Sequence, residues 1–241
     1  MFNSKTISLF VLFCVSCFSL GACQDKPAED DLFPLTDNLS WHYSASFRAG
    51  RVSSKHKLVI TNEAAEFEGE KVTSRRFHNG DIAYYDKNEN GIFRIALFSE
   101  RKGLVKDPVD HFLIRFPIEK ERTWTLISKP FFLEKSVRKI NSGQASLSAD
   151  LKIDPLFMHY QITATDDNVS VAAGNFSRCV RVTGKGETRA SGPEIGTVEI
   201  NVTQTDWYAP GMGLVKSERH EKTNLDWAKS SIYSMELDRV Y

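Results

Sequence analysis

Period-two alternation of apolar and polar residues dominates the chain beyond its N-terminal segment, and that two-residue period predicts strands. Trp41, Tyr43, Ala45 and Phe47 alternate with His42, Ser44, Ser46 and Arg48. Leu156, Met158, Tyr160 and Ile162 alternate with Phe157, His159, Gln161 and Thr163, and Val198, Ile200 and Val202 with Glu199, Asn201 and Thr203. Ala145, Leu147, Ala149 and Leu151 repeat the pattern, as do Tyr233, Met235 and Leu237. Successive strand side chains point to opposite faces, so each run turns one face to a core and the other to water or a wet cavity. No window carries a convincing i, i+3, i+4, i+7 stripe over three turns. The pattern predicts an all-β fold of roughly ten to twelve antiparallel strands in a curved sheet, either an incomplete barrel or a two-layer sandwich.

Turn residues punctuate these runs. Asn79-Gly80-Asp81 joins a strand ending near Phe77 to Ile82, and Asp86 to Gly91 reads as a hairpin closed by its Asn-Gly pair. Asp166 to Asn168 is expected to end one strand before Val169. Gly184 to Gly196, with four glycines and Pro193, reads as a long hairpin loop, and Trp207 to Gly213 as a tight corner. No composition break marks a second domain.

The N-terminus departs from this pattern. One lysine, Lys5, precedes a run without charge, and Ile7 to Leu20 is a predominantly apolar stretch of 14 residues. That is the length of an export-signal core and short for a bilayer span, and no second run approaches the ~20 residues that a spanning helix needs. Leu20-Gly21-Ala22-Cys23 then resembles the lipobox of bacterial lipoproteins. The resemblance implies cleavage before Cys23 and a diacylglycerol on its sulfur. Residues 1–22 would be the signal peptide, residues 23–31 the acylated cysteine and a polar tether, and residues 32–241 a single antiparallel β domain. Two or three acyl chains hold a protein on a bilayer for long times, because each buried methylene contributes ~0.8 kcal/mol. Gln24 beside the cysteine resembles the outer-membrane sorting pattern of Gram-negative lipoproteins, which implies an envelope location facing the periplasm.

Charge and cysteines narrow the function classes. Lys+Arg and Asp+Glu are 31 each, and a signal peptide would remove only Lys5, so the near-neutral remainder makes no electrostatic case for nucleic acid. Cys14 and Cys17 would leave with the signal, so their C-x-x-C spacing is not a redox motif. Cys179 would be the one thiol left free, which excludes an intramolecular disulfide and reads as a small buried hydrophobe.

A second, looser resemblance spans most of the mature chain. Phe33-Pro34-Leu35 with Trp41-x-Tyr43, Phe116-Pro117 with Trp124, Ala173-Gly174-x-Phe176-x-x-Cys179, and Trp207-Tyr-Ala-Pro-Gly-x-Gly213 occur in the order seen in uncharacterised TapB-like envelope proteins. Where that group has a glycine before the central tryptophan, this chain has Arg122-Thr123. The resemblance implies a curved antiparallel sheet and assigns no activity.

Candidate chemistry is sparse. Asp86-x-Asn88-x-Asn90-Gly91 offers oxygens in the pattern of a calcium loop, yet Leu97 stands where a bidentate glutamate is required. His220-Glu221 begins a zinc-protease signature that fails at Asn224. Asp110-His111 places an acid beside a base, but strand neighbours point apart. Trp41, Trp124, Trp207, Trp227, Tyr43, Tyr160, Phe112 and Phe116 fill a core or line an apolar groove. The expectation is a non-catalytic, membrane-anchored module, with Cys23 as the lipid attachment site and the bilayer as its partner. It would bind an envelope protein or stiffen an assembly, without metal or cofactor. The alternative is a carrier or sensor holding an apolar ligand on a concave β face, and a hydrolase is the third reading.

Overall fold

The computed structural model describes residues 30–50, 52–131, 152–193, 196–226 and 229–241. Cys14, Cys17, Cys23, the Ala145–Leu151 run and Trp227 lie outside them. Thirteen strands follow in chain order: β1 (Ser40–Ala49), β2 (Val52–Phe67), β3 (Glu70–Phe77), β4 (Ile82–Asn88), β5 (Gly91–Ser99), β6 (Gly103–Arg115), β7 (Thr123–Ser128), β8 (Lys152–Ile153), β9 (Leu156–Val171), β10 (Gly174–Gly192), β11 (Gly196–Ala209), β12 (Gly213–Thr223) and β13 (Ser230–Val240). They form one antiparallel sheet ordered β6-β5-β4-β3-β2-β1-β13-β12-β11-β10-β9-β7, with β8 beside β10. The sheet curls into a nearly closed barrel. β6 and β7, consecutive in the chain, face each other across a seam that no ladder joins among the described residues.

The alternating faces settle as the two-residue period requires. Trp41, Tyr43, Ala45 and Phe47 are buried, as are Leu156, Met158, Tyr160, Ile162, Val198, Ile200 and Val202. The interior side chains pack into two adjoining clusters. One is built around Ile92, Ile114, Met158, Ile162 and Ile200, the other around Trp41, Leu58, Cys179, Val215 and Leu237.

Four local expectations are corrected. Thirteen strands lie among the described residues, above the roughly ten to twelve expected from alternation. Residues 184–192 belong to β10, paired with β11 from Gly184↔Gln204 to Gly192↔Gly196, so the expected long loop is two extended strands. Its glycines are explained by close approach. A Cβ on Gly184 would come within 2.5 Å of the Tyr160 ring, its cross-strand neighbour, and one on Gly186 within 2.5 Å of the Phe157 carbonyl oxygen. Asp166 to Asn168 does not end a strand, because β9 runs through it to Val171. In the β4–β5 hairpin the two loop residues are Glu89 and Asn90, and Gly91 already pairs with Asn88. Gly91 has φ +149°, and a Cβ there would lie 2.3 Å from the Ile114 oxygen.

The free edge of β6 is bent. Arg94 pairs with His111 and Ala96 with Lys106, so residues 107–110, including Pro108, bow away from β5. Arg94 and Asp107 lock the bow with a two-pronged ion pair at 2.7 and 2.8 Å. A proline and a bulge on an edge strand blunt its capacity to pair with another chain.

Strand directions define two ends. β1 starts and β13 finishes at the N-terminal end, which carries the β2–β3, β4–β5, β9–β10 and β11–β12 turns. The β3–β4, β5–β6, β10–β11 and β12–β13 connections lie at the opposite end.

Candidate functional site

Buried charge is concentrated on the inner face of the barrel, in two places. At the N-terminal end the inward side chain at position 75 is an arginine. Its Nε donates to Asn62 Oδ1 at 2.8 Å and its Nη2 to the Pro34 carbonyl at 3.0 Å. The guanidinium carbon lies 3.9 Å from the Phe33 ring centre, 4.6 Å from Trp41 and 5.5 Å from Tyr85. Asn62, fully buried, donates its amide to the carbonyls of Pro34 and Thr36, both at 3.0 Å. Thr73 Oγ1 adds a bond to the Leu35 carbonyl at 2.9 Å. These side chains hold residues 31–39 across the barrel mouth, with Leu32 and Phe33 buried in it. The backbone joins in, with Gly211 N donating to the Asp31 oxygen and Asn62 N to the Leu39 oxygen, each at 2.9 Å. Burial holds the Arg75 pKa below the usual guanidinium value, opposed by the surrounding tyrosines. The Tyr43, Tyr85 and Tyr208 hydroxyls are pushed up, chiefly by burial.

At the opposite end Arg219 and Glu221 form an ion pair at 2.8 Å, each side chain 2% exposed. They alternate on β12, so both point inward. Arg219 Nη2 donates to the Lys129 carbonyl at 2.7 Å, and its guanidinium lies 4.1 Å from the Phe131 ring centre. Glu221 Oε1 accepts from Phe131 N at 2.8 Å. The chain leaving β7 is thus held by two side chains of β12. Arg219 Nη1 also donates to Gln204 Oε1 at 3.0 Å, and Gln204 Nε2 donates to Asp206 Oδ2 at 2.8 Å.

Asp206 therefore sits between the two clips, 5% exposed, with Oδ1 lacking a partner among the described residues. Burial raises its pKa above the ordinary carboxylate value, against hydrogen bonds from Ser217 and Gln204 and the charge of Arg219. The stacked pair Trp124–Tyr160, 5.8 Å between ring centres, lies nearby in the barrel wall. Burial and then Asp206 raise the Tyr160 pKa.

The residues singled out from sequence fall elsewhere. Asp86 and Asn88 turn their oxygens to the backbone of their own hairpin, accepting from Lys87 N and Asn90 N at 2.7 and 2.8 Å. Asp110 is exposed. His111 faces Arg94 at 3.5 Å, and burial, then that charge, pulls its pKa down to about 4. Glu221 of the incomplete protease motif serves as the partner of Arg219. Cys179 is fully buried, and burial pushes its thiol up to about 11, which suits packing and opposes nucleophilic chemistry. Trp41, Tyr43, Trp124 and Tyr160 are core residues, with Phe112, Phe116 and Trp207 half-buried against them. Sequence reasoning passed over Asn62, Arg75, Asp206 and Arg219. The signal for the last was on the page: on β12 both phases, Ser217-Arg219-Glu221 and Lys216-Glu218-His220, are polar, so a strand paired on both sides must bury charge.

Comparison with known proteins adds coarse bearings. No curated protein matches the chain significantly. Three solved structures are similar to it. A Parabacteroides distasonis protein provisionally described as a lipoprotein shares 14% identity, covers 90% of this chain and 100% of its own, and gives a TM-score of 0.36. A Bacteroides fragilis protein, provisionally described as exported and with a YmcC-like fold, shares 14% identity over 87% of this chain and 98% of its own, with a TM-score of 0.40. A DUF1329 family protein from Desulfovibrio piger shares 6% identity over 85% of each chain, with a TM-score of 0.27. The model of one family, described as DUF3108-like, matches residues 135–230. The stretch that is similar to that family runs from β8 through β12 and contains the Arg219–Glu221 pair.

Proposed function

We propose that this chain is a lipid-anchored envelope protein, acylated on Cys23, whose barrel is a non-catalytic binding or structural module. The observation that carries the reading is the placement of Leu20-Gly21-Ala22-Cys23 eight residues ahead of Asp31, where the chain is stitched into the barrel mouth. The buried charges support the module half of the reading. Each clip binds backbone of this chain. The interior side chains of the described strands pack on one another, which favours a rigid module over a trough for an acyl chain. Gln24 favours the outer membrane as its address.

The test is the Cys23→Ala variant expressed in bacteria with labelled palmitate. Label enters the wild-type product, while the variant takes up none and is either unprocessed or released from membranes. Unchanged membrane retention of a processed variant would refute the anchor.

A further inference from the structure

Residues 31–37 lie outside every strand, yet the N-terminal mouth holds their backbone residue by residue. Three successive carbonyls accept from barrel side chains at 2.9 or 3.0 Å: Pro34 from Arg75 Nη2 and Asn62 Nδ2, Leu35 from Thr73 Oγ1, and Thr36 from Asn62 Nδ2. The Asp31 carbonyl accepts from Gly211 N at 2.9 Å. The mouth offers donors and asks for acceptors, so a proline, which has no N–H, loses nothing at position 34. Side chains add selectivity. Leu32 and Phe33 are buried, and the Phe33 ring stands edge-on to Tyr85 at 5.2 Å with the Arg75 guanidinium 3.9 Å from its centre. The Pro34 ring lies against Gly213, where a Cβ would come within 3.3 Å of its Cδ. An acid stands at each end of the segment. Asp31 faces Lys87 Nζ at 3.6 Å, and Asp37 Oδ1 accepts from Ala64 N at 2.7 Å.

The wall is complete without this segment. β1 pairs with β2 on one side and β13 on the other, and withdrawing residues 31–37 breaks neither ladder. The donors are also set independently of it. Arg75 Nε donates to Asn62 Oδ1 at 2.8 Å, and the guanidinium rests on Trp41 and Tyr85 as well as on Phe33. Preformed donors beside apolar and aromatic walls are how proteins bind peptide segments, with backbone bonds giving affinity and side-chain pockets giving specificity. We propose that the N-terminal mouth is a peptide-binding site, occupied by the chain's own residues 31–37, that accepts from another chain a segment with two apolar residues ahead of a proline and an acid at either end. The chain's own segment is then an intramolecular competitor, and a second one enters only when it withdraws. The site does not depend on acylation of Cys23. With the anchor proposed above, it is also the joint between tether and barrel.

The test uses the full-length chain and a fluorescent peptide of residues 30–38. Leu32→Ala with Phe33→Ala weakens the chain's own segment, and the peptide should bind that variant about tenfold or more tighter than the wild type, which blocks its own site. Adding Arg75→Met should then weaken the peptide about tenfold, through the lost bond to Pro34 and the lost contact with Phe33. Equal binding to variant and wild type, no binding to a variant whose circular dichroism is that of the folded barrel, or binding indifferent to Arg75→Met overturns the proposal. A second protein keeps the sequence of the segment. A protease-recognition insert between Asp37 and Asn38, both exposed, is cut in the folded chain, and native mass spectrometry follows the severed piece. It should stay bound and exchange with the labelled peptide. Immediate loss of the piece means that the mouth has no affinity of its own, and retention against excess peptide means that the segment is core rather than ligand; either result sinks the site.

Discussion

At the N-terminal mouth a buried arginine is held by rings, an amide and a carbonyl, while at the opposite mouth another is held by a carboxylate. Among the described residues no carboxylate forms an ion pair with Arg75, whose charge rests on the faces of Phe33, Trp41 and Tyr85. Arg219 instead pairs with Glu221 at 2.8 Å. Each also donates to the backbone of a segment outside the strands, Pro34 for Arg75 and Lys129 for Arg219, and to a strand side chain, Asn62 and Gln204 respectively, so the two ends share a device with different counter-charge. The difference bears on stability. A buried ion pair gains little over an apolar substitute of equal size, yet removing one member strands the other charge. A cation met by quadrupoles and neutral oxygens leaves a smaller debt when it is deleted.

The largest effect is therefore expected at the paired end. Glu221→Ala leaves Arg219 buried without its anion and Phe131 N without its acceptor, and should cost about 3–5 kcal/mol of unfolding free energy. Urea denaturation of the non-acylated Cys23→Ser chain measures it. The double variant Arg219→Met with Glu221→Leu should recover most of that loss. If the double variant is as unstable as Glu221→Ala, the pair matters through its hydrogen bonds to Lys129 and Phe131 rather than through charge.

Arg75→Met should cost less, about 1–3 kcal/mol, because it orphans Asn62 Oδ1 but removes a desolvated charge. The Pro34 carbonyl keeps the Asn62 amide. Arg75→Lys should be no better than Arg75→Met, since an ammonium cannot reproduce the planar two-pronged geometry or the ring stacking. The same denaturation series decides the point. A loss at Arg75 equal to that of Glu221→Ala would erase the distinction between the two ends.

The barrel wall was legible in the sequence wherever one strand face was apolar. β1, β9 and β11 announced themselves through Trp41-Tyr43-Ala45, Leu156-Met158-Tyr160 and Val198-Ile200-Val202, because burial of one face is what alternation records. The clips were not legible, for the opposite reason. Arg75 lies beside Ser74, both buried on β3, and Arg219 lies within a strand polar on both phases. Their burial is imposed by segments remote in sequence, Phe33-Pro34 and Lys129-Phe131, which no local pattern encodes. Gly184 and Gly186 misled in the same way. Glycine ordinarily marks a turn, but here it clears space for Tyr160 and for the β9 backbone.

Asp206 lies between the clips and supplies the finest discrimination, through pH. Below its ordinary pKa near 4 the carboxyl is protonated in folded and unfolded chains alike. Burial raises the folded value, so between the ordinary and the raised value the folded chain keeps a proton that the unfolded chain has released. Stability contributed by that proton is complete at low pH and is lost as pH rises through the folded pKa. Asp206→Asn cannot ionise and keeps an oxygen to accept from Gln204 Nε2, so it should remove this part of the pH slope. Its urea midpoint should match that of the parent near pH 4 and exceed it at pH 8. Parallel midpoint curves for the two proteins would mean that Asp206 stays ionised in the barrel. The charge of Arg219, reaching it past Gln204, would then be offsetting its burial, and the hydrogen-bonded chain Arg219–Gln204–Asp206 would act as one charged unit with Glu221.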